Sequence, residues 1–140
     1  MTIEDKIVEE ALSWVHAKTP YHHMGRIKGV GVDCGTILIE VYSAVGLVPN
    51  FDTGYYPIDW ALHRNEERYL GFVNQYCERV EEFKKGDIAL YKFGRCVSHS
   101  GIIIDNDGNM VHALNRVGVT MCHYLEGDLK DKFYGFYRVG

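Results

Sequence analysis

Three residues in this chain have the types that could carry nucleophilic chemistry. Cys34 lies in Gly29-Val30-Gly31-Val32-Asp33-Cys34-Gly35, immediately before a long apolar run. His99 and His112 lie in β-rich segments, Val97-Ser98-His99-Ser100-Gly101-Ile102-Ile103-Ile104 and Met110-Val111-His112-Ala113. A thiol attacks as the thiolate, whose formation is favoured at a helix N-terminus or beside a histidine. If Cys34 opens a helix, the dipole and the free backbone N–H groups favour negative charge there. That placement predicts a thiol pKa below about 8.5, the value for free cysteine. The same N–H groups would stabilise the oxyanion of a tetrahedral intermediate, and the flanking glycines let a carbonyl approach the backbone.

Side chains alternate along strands, so His99 and His112 share a face only if the loop between their strands has an even number of residues. The turn sequence Asp105-Asn106-Asp107-Gly108-Asn109 fits a two-residue loop at Asp107-Gly108 or a four-residue loop. Either places the histidines on neighbouring strands. His99 would then take the Cys34 proton and return it to the leaving amine. His112 would accept a hydrogen bond from the far ring nitrogen of His99 and fix its tautomer.

These residues need elements to hold them. Ile3, Ile7, Val8, Ala11, Leu12 and Val15 recur at helical spacing, and Thr2 with Asp5 resembles a capping arrangement, so residues 3–17 are predicted as an amphipathic helix. Residues 20–33, with Gly25, Gly29 and Gly31, are predicted as loop. Residues 34–45 are apolar nearly all round, which predicts a helix buried in the domain, with Asp33 as its cap and Gly46 as its stop. Residues 47–65 are predicted as loop and 66–80 as a further helix. Thereafter 88–93, 98–104, 110–115 and 134–139 are predicted as strands separated by glycine-bearing turns. Helices first and strands afterwards predict an α+β fold with an antiparallel sheet, in a single domain over 1–140.

Composition narrows the function. With 140 residues, 46% hydrophobic and 24% charged, the chain can bury a core of its own. The net charge of −4 comes without a basic stripe, which argues against nucleic-acid binding. No apolar stretch approaches the length of a membrane span, so no membrane insertion is expected. The acidic start Met1-Thr2-Ile3-Glu4-Asp5 is unlike a signal peptide, and synthesis in the cytoplasm is expected. Cys77, Cys96 and Cys122, with no Cys-x-x-Cys spacing, are expected to be small buried hydrophobes rather than disulfide partners. His22, His23 and Asp33 lack the ligand spacing of a metal site, so neither metal nor cofactor is expected.

In order and approximate spacing over residues 1–140, the chain resembles the NlpC-type peptidoglycan cysteine peptidases, which have a papain-like fold. Their Asp-Cys-Ser-Gly element is matched by Asp33-Cys34-Gly35-Thr36, and their Gly-Asp-apolar strand by Gly86-Asp87-Ile88-Ala89-Leu90-Tyr91. The His-Val-Gly-Ile-Tyr strand is matched by His99-Ser100-Gly101-Ile102-Ile103, and the following Ile-His-Ala by Val111-His112-Ala113. An upstream Pro-Tyr is matched by Pro20-Tyr21. Gly35-Thr36 departs from the usual Ser-Gly, so bonds made by that serine are either lost or moved to Thr36.

The resemblance implies a Cys34–His99–His112 hydrolase that cuts an amide bond in peptidoglycan stem peptides through a thioester, the family's usual target being γ-D-glutamyl to diamino acid. It implies that Tyr21 assists the oxyanion, where the plainer alternative is a loop aromatic packed on the core. Asp33 would hold the amino group of the stem peptide besides capping, and Ser98 would add a substrate contact. Residues 47–80, including Tyr55-Tyr56-Pro57-Ile58-Asp59-Trp60-Ala61-Leu62-His63, resemble an insert of the bacteriophage tail-associated branch. That branch would bring phage tail proteins as partners and the virion tail as location. The insert would either wall the substrate groove or simply pack as a helical addition. Two other readings stay open: a catalytically idle structural or assembly protein of the tail, and a papain-like amidase or acyltransferase on a non-wall substrate.

Overall fold

The computed structural model describes residues 1–52 and 68–140. The chain opens with α1 (Ile3–His16), where Thr2 Oγ1 accepts from Asp5 N–H at 3.1 Å and the Asp5 carboxylate accepts from Thr2 N–H at 3.4 Å. This reciprocal capping box satisfies two of the donors a helix start leaves unpaired. Ile7, Ala11 and Trp14 form the buried stripe. The predicted loop over 20–33 contains a short antiparallel ribbon, β1 (Arg26–Ile27) and β2 (Gly31–Val32). The buried helix is α2 (Thr36–Ala44), two residues shorter at its start than predicted. Cys34 therefore precedes the first turn rather than lying in it.

After residues 53–67, α3 (Arg68–Tyr76) runs directly into β3 (Cys77–Val80). The single helix predicted over 66–80 is thus a helix followed by an edge strand. Its apolar positions satisfy both periods, and pairing with the last strand decides between them: Cys77 lies opposite Val139 and Val80 opposite Phe136. The remaining strands are β4 (Ile88–Phe93), β5 (Cys96–Ile103), β6 (Asn109–Leu114), β7 (Gly118–His123) and β8 (Phe133–Val139), with a short α4 (Leu129–Lys132) before the last. β7 and α4 were not predicted. Their residues mix polar and apolar types too freely to declare a period, and cross-strand bonds to β6 are what make β7 a strand.

The sheet has six strands in the order β3-β8-β4-β5-β6-β7, all neighbours antiparallel. With the helices, this gives the predicted α+β architecture. One cluster joins Ile7, Ala11 and Trp14 of α1 and Ile37, Val41 and Tyr42 of α2 to Leu90, Ile102 and Val111 of the sheet. A second joins Ala89, Tyr91, Ile103 and Met110 to Leu129 and Phe136. Adjacent residues on one strand enter different clusters, so both faces of the sheet are covered and the strands read as apolar runs.

Two contacts set the position of α2 and the turn before β4. The Tyr42 hydroxyl donates to Gly86 O at 2.7 Å. The buried Asp87 carboxylate receives Arg138 Nε at 2.9 Å and Nη2 at 2.8 Å, and also accepts from Lys84 N–H. The Gly-Asp pair noted in the sequence is thus a structural lock between β4 and β8. No helix among the described residues is long and apolar enough to cross a membrane.

Candidate active site

The stretch leading into α2 is held by Asp33. Its Oδ1 accepts from the N–H groups of Gly35 at 2.9 Å and Thr36 at 2.8 Å, and its Oδ2 from Met24 N–H at 2.8 Å. In return Asp33 N–H donates to Thr36 Oγ1 at 2.9 Å, while the Thr36 hydroxyl donates to Gly25 O at 2.6 Å. Asp33 and Thr36 therefore bond reciprocally around the helix start, whose N-cap residue is Gly35 rather than the expected Asp33. Thr36 supplies a local hydroxyl where the serine of the resembled motif is absent. By accepting these backbone donors the carboxylate fixes the Cys34–Gly35 and Gly35–Thr36 peptide bonds.

Gly35 has a steric reason. A Cβ built there would stand 3.1 Å from Tyr69 Cε2, and Tyr69 is itself tied down. Its hydroxyl lies 2.8 Å from Cys34 O and 2.6 Å from Ser100 Oγ, and Ser100 Oγ lies 3.1 Å from Cys34 O. Tyr69 and Ser100 together clamp the carbonyl of the candidate nucleophile. Neither was singled out from the sequence, because only the return of α3 over the start of α2 brings Tyr69 there.

The half-buried Cys34 thiol donates to the backbone carbonyl of Ser98 at 3.2 Å. Burial and the neighbouring Asp33 carboxylate push its pKa up, outweighing the hydrogen bond from Tyr69 and the local backbone, which pull it down. This reverses the expectation of a depressed thiol pKa. Cys34 sits before the first helical turn, where burial and a fixed carboxylate exceed what the dipole offers.

His99 and His112 meet as the even-loop argument requires. Ile102 pairs with Val111 and Ile103 with Met110, and Ile104 N–H donates to Asn109 O, leaving the four residues Asp105 to Gly108 as the loop. His99 Nε2 lies 3.0 Å from His112 Nδ1. A register shift in β5, where Tyr91 pairs with His99 but Lys92 with Val97, marks a bulge at Ser98. Bulges re-aim the side chains around them, and this one stands at the thiol contact. The rings of Tyr91 and Phe93 lie 5.8 and 5.7 Å from that of His99. Burial, with His112 as neighbour, lowers the His99 pKa to about 3, and burial lowers that of His112 to about 4, so both imidazoles are neutral near pH 7.

The other sequence candidates are distributed around this core. Tyr21 is half-buried against Val32, and burial together with charge on Cys34 and Asp33 raises its pKa. Ser98 contributes its carbonyl to the thiol, while its hydroxyl donates to Phe93 O at 3.4 Å. His23 Nδ1 stands 3.9 Å from Asp33 Oδ2, and among the described residues no group of three potential ligands is placed to hold a metal. The aromatic stretch Tyr55–His63 lies outside the described residues. Of the three cysteines expected to be inert hydrophobes, Cys96 is fully buried, but Cys77 and Cys122 are only partly so. Cys122 Sγ lies 3.2 Å from His112 Nε2, which gives it a polar contact that the sequence does not betray.

Solved structures share this fold. The chain superposes with a TM-score of 0.65 at 19% identity on a Staphylococcus aureus protein described as similar to lipoprotein, of the NLP/P60 family, covering 98% of this chain and 41% of that one. A Bacillus cereus NlpC/P60 family protein gives 0.64 at 20% identity, covering 92% of this chain and 40% of that one. The NlpC/p60 domain of the peptidoglycan hydrolase SagA gives 0.60 at 20% identity and covers 98% and 97%. The chain thus spans about two fifths of the first two and nearly all of the third. No curated protein sequence matches it. At these identities the structures establish the fold, and the family model for NlpC/P60, which matches residues 18–138, carries the assignment further: this chain belongs to the NlpC/P60 family.

Proposed function

We propose that this protein is a cysteine hydrolase of bacterial peptidoglycan with Cys34 as nucleophile, His99 as general base and acid, and His112 as the residue that orients His99. The observation that carries this reading is the 3.0 Å contact between His99 Nε2 and His112 Nδ1 beside a cysteine at a capped helix start. With Nε2 engaged, Nδ1 is the nitrogen of His99 that remains for the thiol. Family membership and the peptidoglycan hydrolase SagA among the similar structures support the substrate class.

In this mechanism the thiol turns from Ser98 O toward His99 as substrate enters. Sulfur attacks the amide carbon while its proton passes to His99 Nδ1, and the imidazolium donates through Nε2–H to His112. The N–H groups of Gly35 and Thr36 are taken by Asp33, so the oxyanion is met by the backbone N–H of Cys34, with the Tyr21 hydroxyl assisting. Collapse breaks the C–N bond, and the amine leaves with the proton from His99. Water, deprotonated by His99, then hydrolyses the thioester. Asp33 and Ser98 would add contacts to the stem peptide. The finer reading, a γ-D-glutamyl to diamino acid bond cut by a phage tail-associated enzyme, is supported by sequence resemblance alone.

Cys34→Ala should fold as the parent does and lose hydrolysis of purified peptidoglycan, with released muropeptides identified by mass spectrometry. Undiminished release by that variant would overturn the proposal. A second reading, an idle structural protein of a tail, is favoured by one feature: the thiol is held protonated on Ser98 O beside neutral imidazoles. Trapping a thioester on Cys34 with a stem-peptide substrate separates the two, since an idle protein forms none.

A further inference from the structure

His112 uses both ring nitrogens: Nδ1 stands 3.0 Å from His99 Nε2, and Nε2 stands 3.2 Å from Cys122 Sγ. The register of β6 on β7 explains the second contact. Met110 pairs with Cys122 and His112 with Thr120, so His112 and Cys122 occupy diagonal positions on one face. A line of side chains therefore runs across three neighbouring strands, His99 on β5, His112 on β6 and Cys122 on β7. We propose that Cys122 is a positioning residue, whose sulfur accepts the His112 Nε2–H and so sets the proton order that leaves His99 Nδ1 free to take the proton of Cys34. This rests on the reading of Cys34 as nucleophile and His99 as base.

The reasoning follows the protons. Each contact along the line holds one hydrogen, and two orders are possible. In the first, His99 Nε2–H donates to His112 Nδ1 and His112 Nε2–H donates to sulfur, leaving His99 Nδ1 with its lone pair. In the second, the Cys122 S–H donates to His112 Nε2 and His112 Nδ1–H donates to His99 Nε2. The proton of His99 then sits on Nδ1, where a base must be empty. Once His99 has taken the thiol proton, both its nitrogens carry hydrogen and the second order is closed to it. His112 must then accept at Nδ1, and the Nε2–H of this buried ring needs an acceptor. The sulfur of Cys122 is that acceptor.

The surroundings suit a neutral acceptor. Burial first, and then the Glu126 carboxylate, push the Cys122 thiol up to about 11, so it stays uncharged and its hydrogen can turn away from the ring. Glu126, in the turn after β7, also favours the protonated form of His112, and Tyr91 on β4 lies near enough to feel Cys122. The Tyr91 hydroxyl is directed to Tyr124 O at 2.6 Å, away from the competition for His112.

Nitrogen-15 NMR of the imidazoles at neutral pH tests the proton order without any substrate. The expected result is that His99 and His112 both carry hydrogen on Nε2 and none on Nδ1; hydrogen on His112 Nδ1 would overturn the proposal. Two variants supply the functional readout. Cys122→Val removes the acceptor at similar volume and should lower kcat on muropeptides about tenfold with little change in KM. It should also slow alkylation of Cys34, followed on the Cys34 peptide by mass. Cys122→Ser keeps an acceptor and should recover most of the loss. A Cys122→Val enzyme with the parent's kcat, pH profile and histidine tautomers would overturn the proposal. If that variant does not fold, the tautomers of the unaltered protein decide alone. Activity surviving in Cys34→Ala would instead defeat the underlying reading, an outcome independent of the NMR result.

Discussion

At the scale of the residue, Cys34 is held as a neutral thiol. Burial and Asp33 raise its pKa, and the Ser98 carbonyl gives the S–H a partner. Alkylation of the free protein at Cys34 should therefore keep accelerating as pH rises past about 8.5, the free-cysteine value. A plateau near neutrality would show a preformed thiolate and contradict this. Turnover need not follow the same curve, because substrate displaces water and aligns the thiol with a base that is already neutral. His99 stays unprotonated down to about pH 3 and His112 to about pH 4, so acid should not remove the base across pH 5 to 7. A loss of kcat with an apparent pKa near about 6.5, the ordinary histidine value, would argue against the burial described here.

At the scale of the element, the start of α2 and the overlying α3 are fitted to each other through Gly35 and Tyr69. The Gly35 backbone, at φ −87 and ψ −45, would accept any L residue, so the constraint is the 3.1 Å approach to Tyr69. Gly35→Ser restores the serine of the family motif and should cost about 1 kcal/mol by overpacking against that ring. Combining it with Tyr69→Leu should leave a smaller loss than the two changes added together. A double-mutant cycle on thermal unfolding measures this coupling, and strict additivity would mean the two do not press on each other. The β4–β8 lock is separate. Asp87→Ala leaves Arg138 without its bidentate partner and should destabilise by about 2 kcal/mol, the lower range for a charged pair with one partly exposed member. Denaturant titration checks it, and activity per folded molecule should be retained.

At the scale of the whole molecule, the buried histidines make stability depend on pH. Their folded pKa values, about 3 and about 4, lie below the ordinary 6.5, so between those limits the unfolded chain binds more protons. Stability then rises with pH across that window and is lost as pH falls from about 6.5 toward 4. Thermal unfolding of the unaltered protein should show Tm dropping over this range. His112→Gln, which cannot protonate, should flatten the slope; an unchanged slope would mean that His112 is not buried neutral.

Much of this was legible in the sequence, and the reasons are local. Thr2 and Asp5 announce α1, and the apolar run after Asp33 announces α2. Alternation along a strand is fixed by backbone geometry, so an even loop is what puts His99 and His112 on one face, and both turns that the sequence fits are even. A motif of cysteine, then glycine-aspartate, then two histidines sufficed to identify the candidate nucleophile and its family. Other features depend on which distant segments come together. Residues 77–80 become a strand only because β8 offers its edge. Tyr69, some thirty-five residues from Cys34, clamps its carbonyl only when α3 folds back over α2. Cys122 meets His112 only through the β6–β7 register. The sequence by itself determined which chemistry is available, since residue type and short spacing set that. Only the tertiary structure decided the ionisation of Cys34 and its neighbours, because burial and through-space charge govern a pKa and neither is written in local order.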